Sequence, residues 1–113
     1  MDDYQLPSLS ATEFLTIGLQ DGARLIDVRK PAAVRASGQK LTGATVIDPF
    51  SLSFDHQLLA EKNRLVFYCV HGHEVSQFAA ALARVAGCEA YFVRGGYDAL
   101  CAAGAELTNL VEA

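Results

Sequence analysis

The sequence has no cluster of Lys and Arg, no long apolar run and no closely spaced pair of cysteines, and each absence removes a class of function. Nine basic residues against thirteen acidic ones leave a formal net charge of −4, which argues against a nucleic-acid surface. No unbroken apolar stretch is longer than Leu65 to Val70, far short of the roughly 20 residues that a membrane-crossing helix needs. The acidic opening MDDYQLPS is unlike a signal peptide. Cys69, Cys88 and Cys101 are odd in number, so reduced thiols are expected rather than a disulfide framework, and the lack of Cys-x-x-Cys removes a thioredoxin-type motif. Repeats and low-complexity segments are absent too. What remains, with 51% hydrophobic and 19% charged residues in 113, is the composition of one globular domain over residues 1–113. It is expected to be soluble and cytoplasmic, with neither nucleic acid nor membrane as a partner.

The informative stretch is Arg64 to Gly87. Leu65, Val66, Phe67 and Tyr68 are continuously apolar, as a strand reads when a parallel sheet is covered on both faces, so a central strand is expected there. From Val75 the apolar positions Val75, Phe78, Ala79, Leu82 and Val85 follow one helical face, with Gly87 as the cap. A loop of six residues, Cys69 to Glu74, joins the two, and its Gly72 can turn successive N–H groups inward. Cys69 would lie at the carboxyl end of a strand and at a helix N-terminus, where open sheets place ligand crevices and where negative charge is favoured. A cysteine in such surroundings titrates below the ordinary value of about 8.5 and becomes a nucleophile. The plainer alternative is a small apolar residue that ends a strand.

The rest of the chain supplies alternating strands and short helices. Ser10 to Glu13 reads as a capping box, with Leu9 and Phe14 as its staple, opening a helix with Ala11, Phe14, Leu15, Gly18 and Leu19 on one face that stops near Asp21 and Gly22. Arg24 to Val28 is a strand, Pro31 to Ala36 a brief helix ending before Gly38, and Thr45 to Ile47 a strand stopped by Asp48 and Pro49. Ser53 or Asp55 would cap a helix with Leu58 and Leu59. Ala90 to Val93 is a strand, Gly95 and Gly96 a tight turn, and Tyr97 to Ala103 the last helix. The pattern predicts an α/β three-layer sandwich, its central, mostly parallel sheet of about five short strands flanked by helices.

Three stretches, LIDVRKP (Leu25 to Pro31), VFYCVHGHEVS (Val66 to Ser76) and VRGGYDAL (Val93 to Leu100), in this order and at these separations, resemble a single-domain member of the rhodanese-like family of sulfurtransferases. The resemblance implies that Cys69 takes a sulfane sulfur from a donor, holds it as a persulfide and passes it to a thiol or other nucleophile. Val70, His71, Gly72, His73, Glu74 and Val75 would supply the amides around it, and Asp27 and Arg29, the family's Asp-x-Arg, would hold the fold and the loop's surroundings structurally through charge-assisted bonds. No cofactor is implied. The partners would be a small sulfur donor or a persulfide-bearing protein, with a protein acceptor possible. The related phosphatases and arsenate reductases of this fold have a longer loop and need an arginine near its end, where this chain has Val75.

Loop composition narrows the donor. A persulfide carries its charge on the outer sulfur and needs only N–H donors, whereas this loop has His71, His73 and Glu74 in place of cationic residues. A carboxylate about 6 Å from a bound anion opposes it by about 3 kcal/mol at an effective dielectric near 20, so thiosulfate is expected to be a poor donor. His71 and His73 either face solvent or offset Glu74 and shuttle a proton. A metal held by Cys69, His71 and His73 is a lesser alternative, because a loop curled around one sulfur does not converge alternate side chains, and no metal is expected. Cys88 and Cys101 read as core fillers unless one lies within disulfide reach of Cys69. The competing function is a catalytically weak binding or redox-sensing module of the same fold.

Overall fold

The structure, a computed structural model, describes residues 6–18, 22–53 and 56–110. In chain order the elements are β1 (Ser8–Leu9), α1 (Ala11–Ile17), β2 (Arg24–Asp27), α2 (Pro31–Ser37), β3 (Gln39–Leu41) and β4 (Thr45–Val46). A single 3₁₀ turn (Pro49–Ser51) follows, then α3 (Gln57–Ala60), β5 (Leu65–Tyr68), α4 (Glu74–Val85), β6 (Ala90–Val93), α5 (Gly96–Ala102) and β7 (Leu107–Asn109). Five strands form one sheet in the order β1-β6-β5-β2-β4, every neighbouring pair parallel. The expected central strand is the central strand, and all four of its residues are buried. None of the described helices is long and apolar enough to cross a membrane.

Period-two alternation along β5 divides the core in two. Leu65, Phe67 and Cys69 point to one side of the sheet, into a cluster with Leu58 and Leu59 of α3 and Ala79, Ala80 and Ala83 of α4. Val66 and Tyr68 point to the other, into a cluster with Ala11 and Phe14 of α1 and Leu100 of α5. Helices on both faces make the three-layer sandwich that the sequence predicts. The alternation also decides the chemistry, because it puts Cys69 on the face that α4 covers.

Several local expectations need correction. The expected apolar face of α4 is buried only in part: Ala79 is in the core and Val75 and Leu82 pack against it, but Phe78 is 60% and Val85 74% exposed, and the residues most deeply buried are Ser76, Ala79, Ala80 and Ala83. Small side chains let α4 lie close on β5 and β6, and Phe78 and Val85 are turned outward. Its C-terminus, though, is the expected one: Gly87, at φ +98°, follows Ala86 and closes a Schellman motif, with Cys88 N–H donating to Ala83 O and Gly87 N–H to Arg84 O. Helix α1 has the full capping box at Ser10 and Glu13 but ends at Ile17, because Gly18 takes φ +72° as its C-cap; Leu19 and Asp21 lie outside the described residues. The cap of α3 is neither Ser53 nor Asp55, the latter also outside the described residues, but His56, whose Nδ1 accepts from Leu58 N–H at 3.1 Å. Strands β1, β3 and β7 were not expected at all. The last two pair with each other as an antiparallel ribbon beside the main sheet.

Candidate functional site

The loop that begins at Cys69 is shorter than the sequence suggests. It spans Cys69 to His73, since Glu74 is already the first residue of α4, so Glu74 and Val75 belong to the helix's first turn. The loop is held from outside by its carbonyls. Cys69 O accepts from Tyr97 N–H at 2.7 Å and Val70 O from Asp98 N–H at 3.1 Å, both in the first turn of α5, and Gly72 O accepts from Gln77 Nε2 at 3.1 Å. In a trans peptide the N–H opposes the C=O, and no peptide bond among the described residues is cis, so the N–H groups of Val70, His71 and His73 face away from those anchors. Among the described residues nothing accepts from the N–H groups of Val70 to His73, and α4 has no side-chain cap at its start. A row of donors without partners at a helix N-terminus is a place for an anion.

Two glycines make this close contact possible. A Cβ on Gly96 would come within 2.4 Å of Cys69 O and 2.6 Å of Gly72 N, and a Cβ on Gly72 within 2.6 Å of both Gly95 N and Val93 O. Gly72 and Gly96 take φ of +73° and +58°, where other residues are strained. The paired glycines expected as a turn are therefore also the surface on which the cysteine loop sits.

Cys69 is 6% exposed and lines an open cleft of about 420 Å³ with Arg29, Lys30, Ala33, Val70, His71, His73, Glu74 and Val75. Its Sγ lies 3.1 Å from Oγ of Ser76, a completely buried residue in the first turn of α4. Of the residues singled out in the sequence, Cys69, Val70, His71, His73, Glu74 and Val75 come together at this cleft, and Gly72 is buried behind it. Ser76 was missed. The signal that could have found it is a small polar residue on the alanine face of α4, where its side chain must meet whatever ends β5. His71 is not free in solvent: its Nδ1 is 3.0 Å from Oδ2 of Asp98 on α5. His73 places its ring edge-on, 6.2 Å from that of His71. Among the described residues no three His, Cys, Asp or Glu are grouped to hold a metal ion.

Asp27 and Arg29 form a buried pair. Arg29 Nε contacts both carboxylate oxygens at 2.9 and 3.0 Å and Nη2 contacts Oδ2 at 2.6 Å. Tyr68 OH donates to the same Oδ2 at 2.7 Å, and the guanidinium carbon lies 4.1 Å from the centre of the Tyr97 ring. Burial works against the Arg29 charge, but the bonds to Asp27 outweigh it and hold the guanidinium above its ordinary value. Burial first, then the Asp27 charge, push the Tyr68 phenol well up. Arg29 is thus at the cleft wall with its donors already committed. Cys88 is buried with Sγ 3.4 Å from Leu59 O, Cys101 is half-buried beside Tyr97, and both are free thiols.

With this geometry in hand, comparison with known proteins gives a consistent fold. The profile of the rhodanese-like domain family matches residues 10–103. A thiosulfate sulfurtransferase from Pseudomonas aeruginosa superposes with a TM-score of 0.76 at 20% identity, covering 94% of this chain but 20% of that one. A rhodanese-like domain protein from Staphylococcus aureus gives 0.75 at 17% identity, covering 95% and 100%. A protein of unknown function from Rhodopseudomonas palustris CGA009, described as a possible tyrosine phosphatase, gives 0.75 at 23%, covering 91% and 85%. At these identities the likeness is one of fold alone. No curated protein matches.

Proposed function

This chain belongs to the rhodanese-like domain family, and from that premise we propose that it is a sulfurtransferase that carries sulfane sulfur as a persulfide on Cys69. The observation that carries the reading is the set of N–H donors from Val70 to His73, unpartnered among the described residues, beside the cysteine that opens the loop into α4, with the Cys69 and Val70 carbonyls tied outward to α5.

The Cys69 sulfur attacks the outer sulfur of a donor R–S–SH. A bond forms between the Cys69 sulfur and that outer sulfur, the S–S bond of the donor breaks, and RS⁻ leaves. Once its proton has passed to the departing thiolate, the new outer sulfur bears the negative charge, which the loop amides and the helix N-terminus favour without a cationic side chain. A nucleophilic acceptor then takes that sulfur and returns Cys69 to its thiolate. Asp27 and Arg29 serve as structural support, bracing the end of β2 behind the cleft.

Persulfides fit the cleft better than thiosulfate. Arg29 is neutralised by Asp27, and the two remaining charged residues on the wall, Lys30 and Glu74, oppose each other. A dianion therefore gains little there. Intact-mass spectrometry after incubation with glutathione persulfide, mercaptopyruvate or thiosulfate tests the proposal: one reductant-sensitive sulfur is expected on the wild type from the persulfide, and none on Cys69→Ser. Equal sulfur on that variant, or none on wild type from any donor, would refute it. One feature favours a second reading, a binding or redox-sensing module: the stretch from Cys69 to Val75 contains no Lys or Arg. Sustained sulfur transfer to cyanide would exclude that reading.

A further inference from the structure

We infer that His71 is the acid that delivers a proton to the departing thiolate, and that Asp98 is the residue that positions it. The inference rests on Cys69 being the persulfide carrier. Two observations carry it. His71 lines the same cleft as Cys69, and its Nδ1 is 3.0 Å from the Asp98 carboxylate although both side chains are about 60% exposed (62% and 60%). A pair so exposed adds little to stability. Asp98 is in addition fixed by its own backbone, whose N–H donates to Val70 O, so one residue of α5 sets both the Val70–His71 peptide and the His71 ring.

With Nδ1–H committed to Asp98, protonated His71 has Nε2–H left for a group in the cleft. His73, Glu74, Lys30 and Arg29 are the other charged or titratable side chains on that wall. Arg29 is occupied by Asp27, and neither Lys30 nor Glu74 has an orienting partner within the loop.

The proton balance is closed. Cys69 S⁻ attacks the outer sulfur of R–S–SH, forming Cys69–S–SH and RS⁻. His71 gives its Nε2 proton to RS⁻, releasing RSH, and recovers a proton from the new persulfide, leaving Cys69–S–S⁻. No oxidant or reductant is required. A thiosulfonate donor, R–SO₂–S⁻, reacts at the same sulfur but expels a sulfinate, a weak base that leaves without a proton.

This difference gives the test. Single-turnover sulfur uptake is measured with glutathione persulfide and with methanethiosulfonate for wild type, His71→Gln and Asp98→Asn. The expected result is that His71→Gln slows uptake from the persulfide about a hundredfold and Asp98→Asn about tenfold, while both stay within about twofold of wild type with the thiosulfonate. The thiosulfonate rate shows, in the same protein, that the loop is still folded. Equal slowing with both donors, or an unchanged persulfide rate, would overturn the roles of His71 and Asp98 and leave that of Cys69 standing. Failure of wild type to take sulfur from either donor would remove both.

Discussion

The sulfur of Cys69, at the floor of the cleft, and the completely buried hydroxyl of Ser76 are 3.1 Å apart, so each is the other's partner. When the sulfur is ionised the hydroxyl must donate, because a thiolate has no proton to give. A hydrogen bond to a charged group contributes about 1.5 kcal/mol or more, so Ser76→Ala is expected to slow sulfur uptake about tenfold. Stopped-flow measurement of methanethiosulfonate consumption reads this directly, and an unchanged rate would mean that the hydroxyl only fills space. The cysteine could be found in the sequence because a strand, a glycine and a helix surround it on either side. Its partner could not, since position 76 belongs to a helical face that the larger residues Phe78, Leu82 and Val85 concealed. Asp98 was equally hidden: 27 residues separate it from His71, and the contact arises from how α5 meets the loop.

At the scale of elements, the site is a contact between two turns rather than a property of one. The loop after β5 and the glycine turn before α5 nest so closely that neither Gly72 nor Gly96 has room for a side chain. Gly96→Ala would drive a methyl against Cys69 O and Gly72 N and place alanine at φ +58°, a conformation that alone costs about 1–2 kcal/mol. The variant is expected to lose at least 2 kcal/mol of stability (about that much on strain and overlap together) in urea unfolding, and to take up sulfur at least tenfold more slowly under conditions where it is folded. Normal uptake by a destabilised protein would show that the loop keeps its shape without α5. Element existence was legible where apolar periodicity was long, as in β5, α4 and β6. It was illegible for β1, β3 and β7, two or three residues each, whose pairing depends on distant chain segments and leaves no pattern of its own. The inner face of α4 was read correctly at Val75, Ala79 and Leu82 but not at Phe78 and Val85, because periodicity ranks residues by hydrophobicity whereas close helix-on-sheet packing favours the small ones.

Across the whole molecule, Tyr68 ties the two sides of the architecture together. It ends the central strand, donates to Asp27 on β2, and accepts from Leu41 N–H on the β3–β7 ribbon at 3.1 Å. Its side chain faces away from the cleft, so it affects stability without touching the chemistry. Burial and the Asp27 charge raise the phenol in the folded state. Below about pH 10 folded and unfolded chains both hold that proton and stability does not depend on it. Above about pH 10 the unfolded chain releases it and the folded chain does not, so the folded state binds one more proton and stability falls as pH rises. Tyr91, raised by its bond to Glu89, and Tyr97, raised by burial and Cys101, add to the fall in the same direction. Tyr68→Phe removes one proton from that slope. At neutral pH the variant should be less stable by about 1–3 kcal/mol, because Leu41 N–H loses its buried acceptor. Urea midpoints measured from pH 8 to about pH 11 should therefore show wild type and variant converging as the solution becomes alkaline. Parallel curves would mean that Tyr68 ionises in the folded protein as readily as in the unfolded chain, and the network around Asp27 would then not be the closed, dry junction on which the back of the site depends.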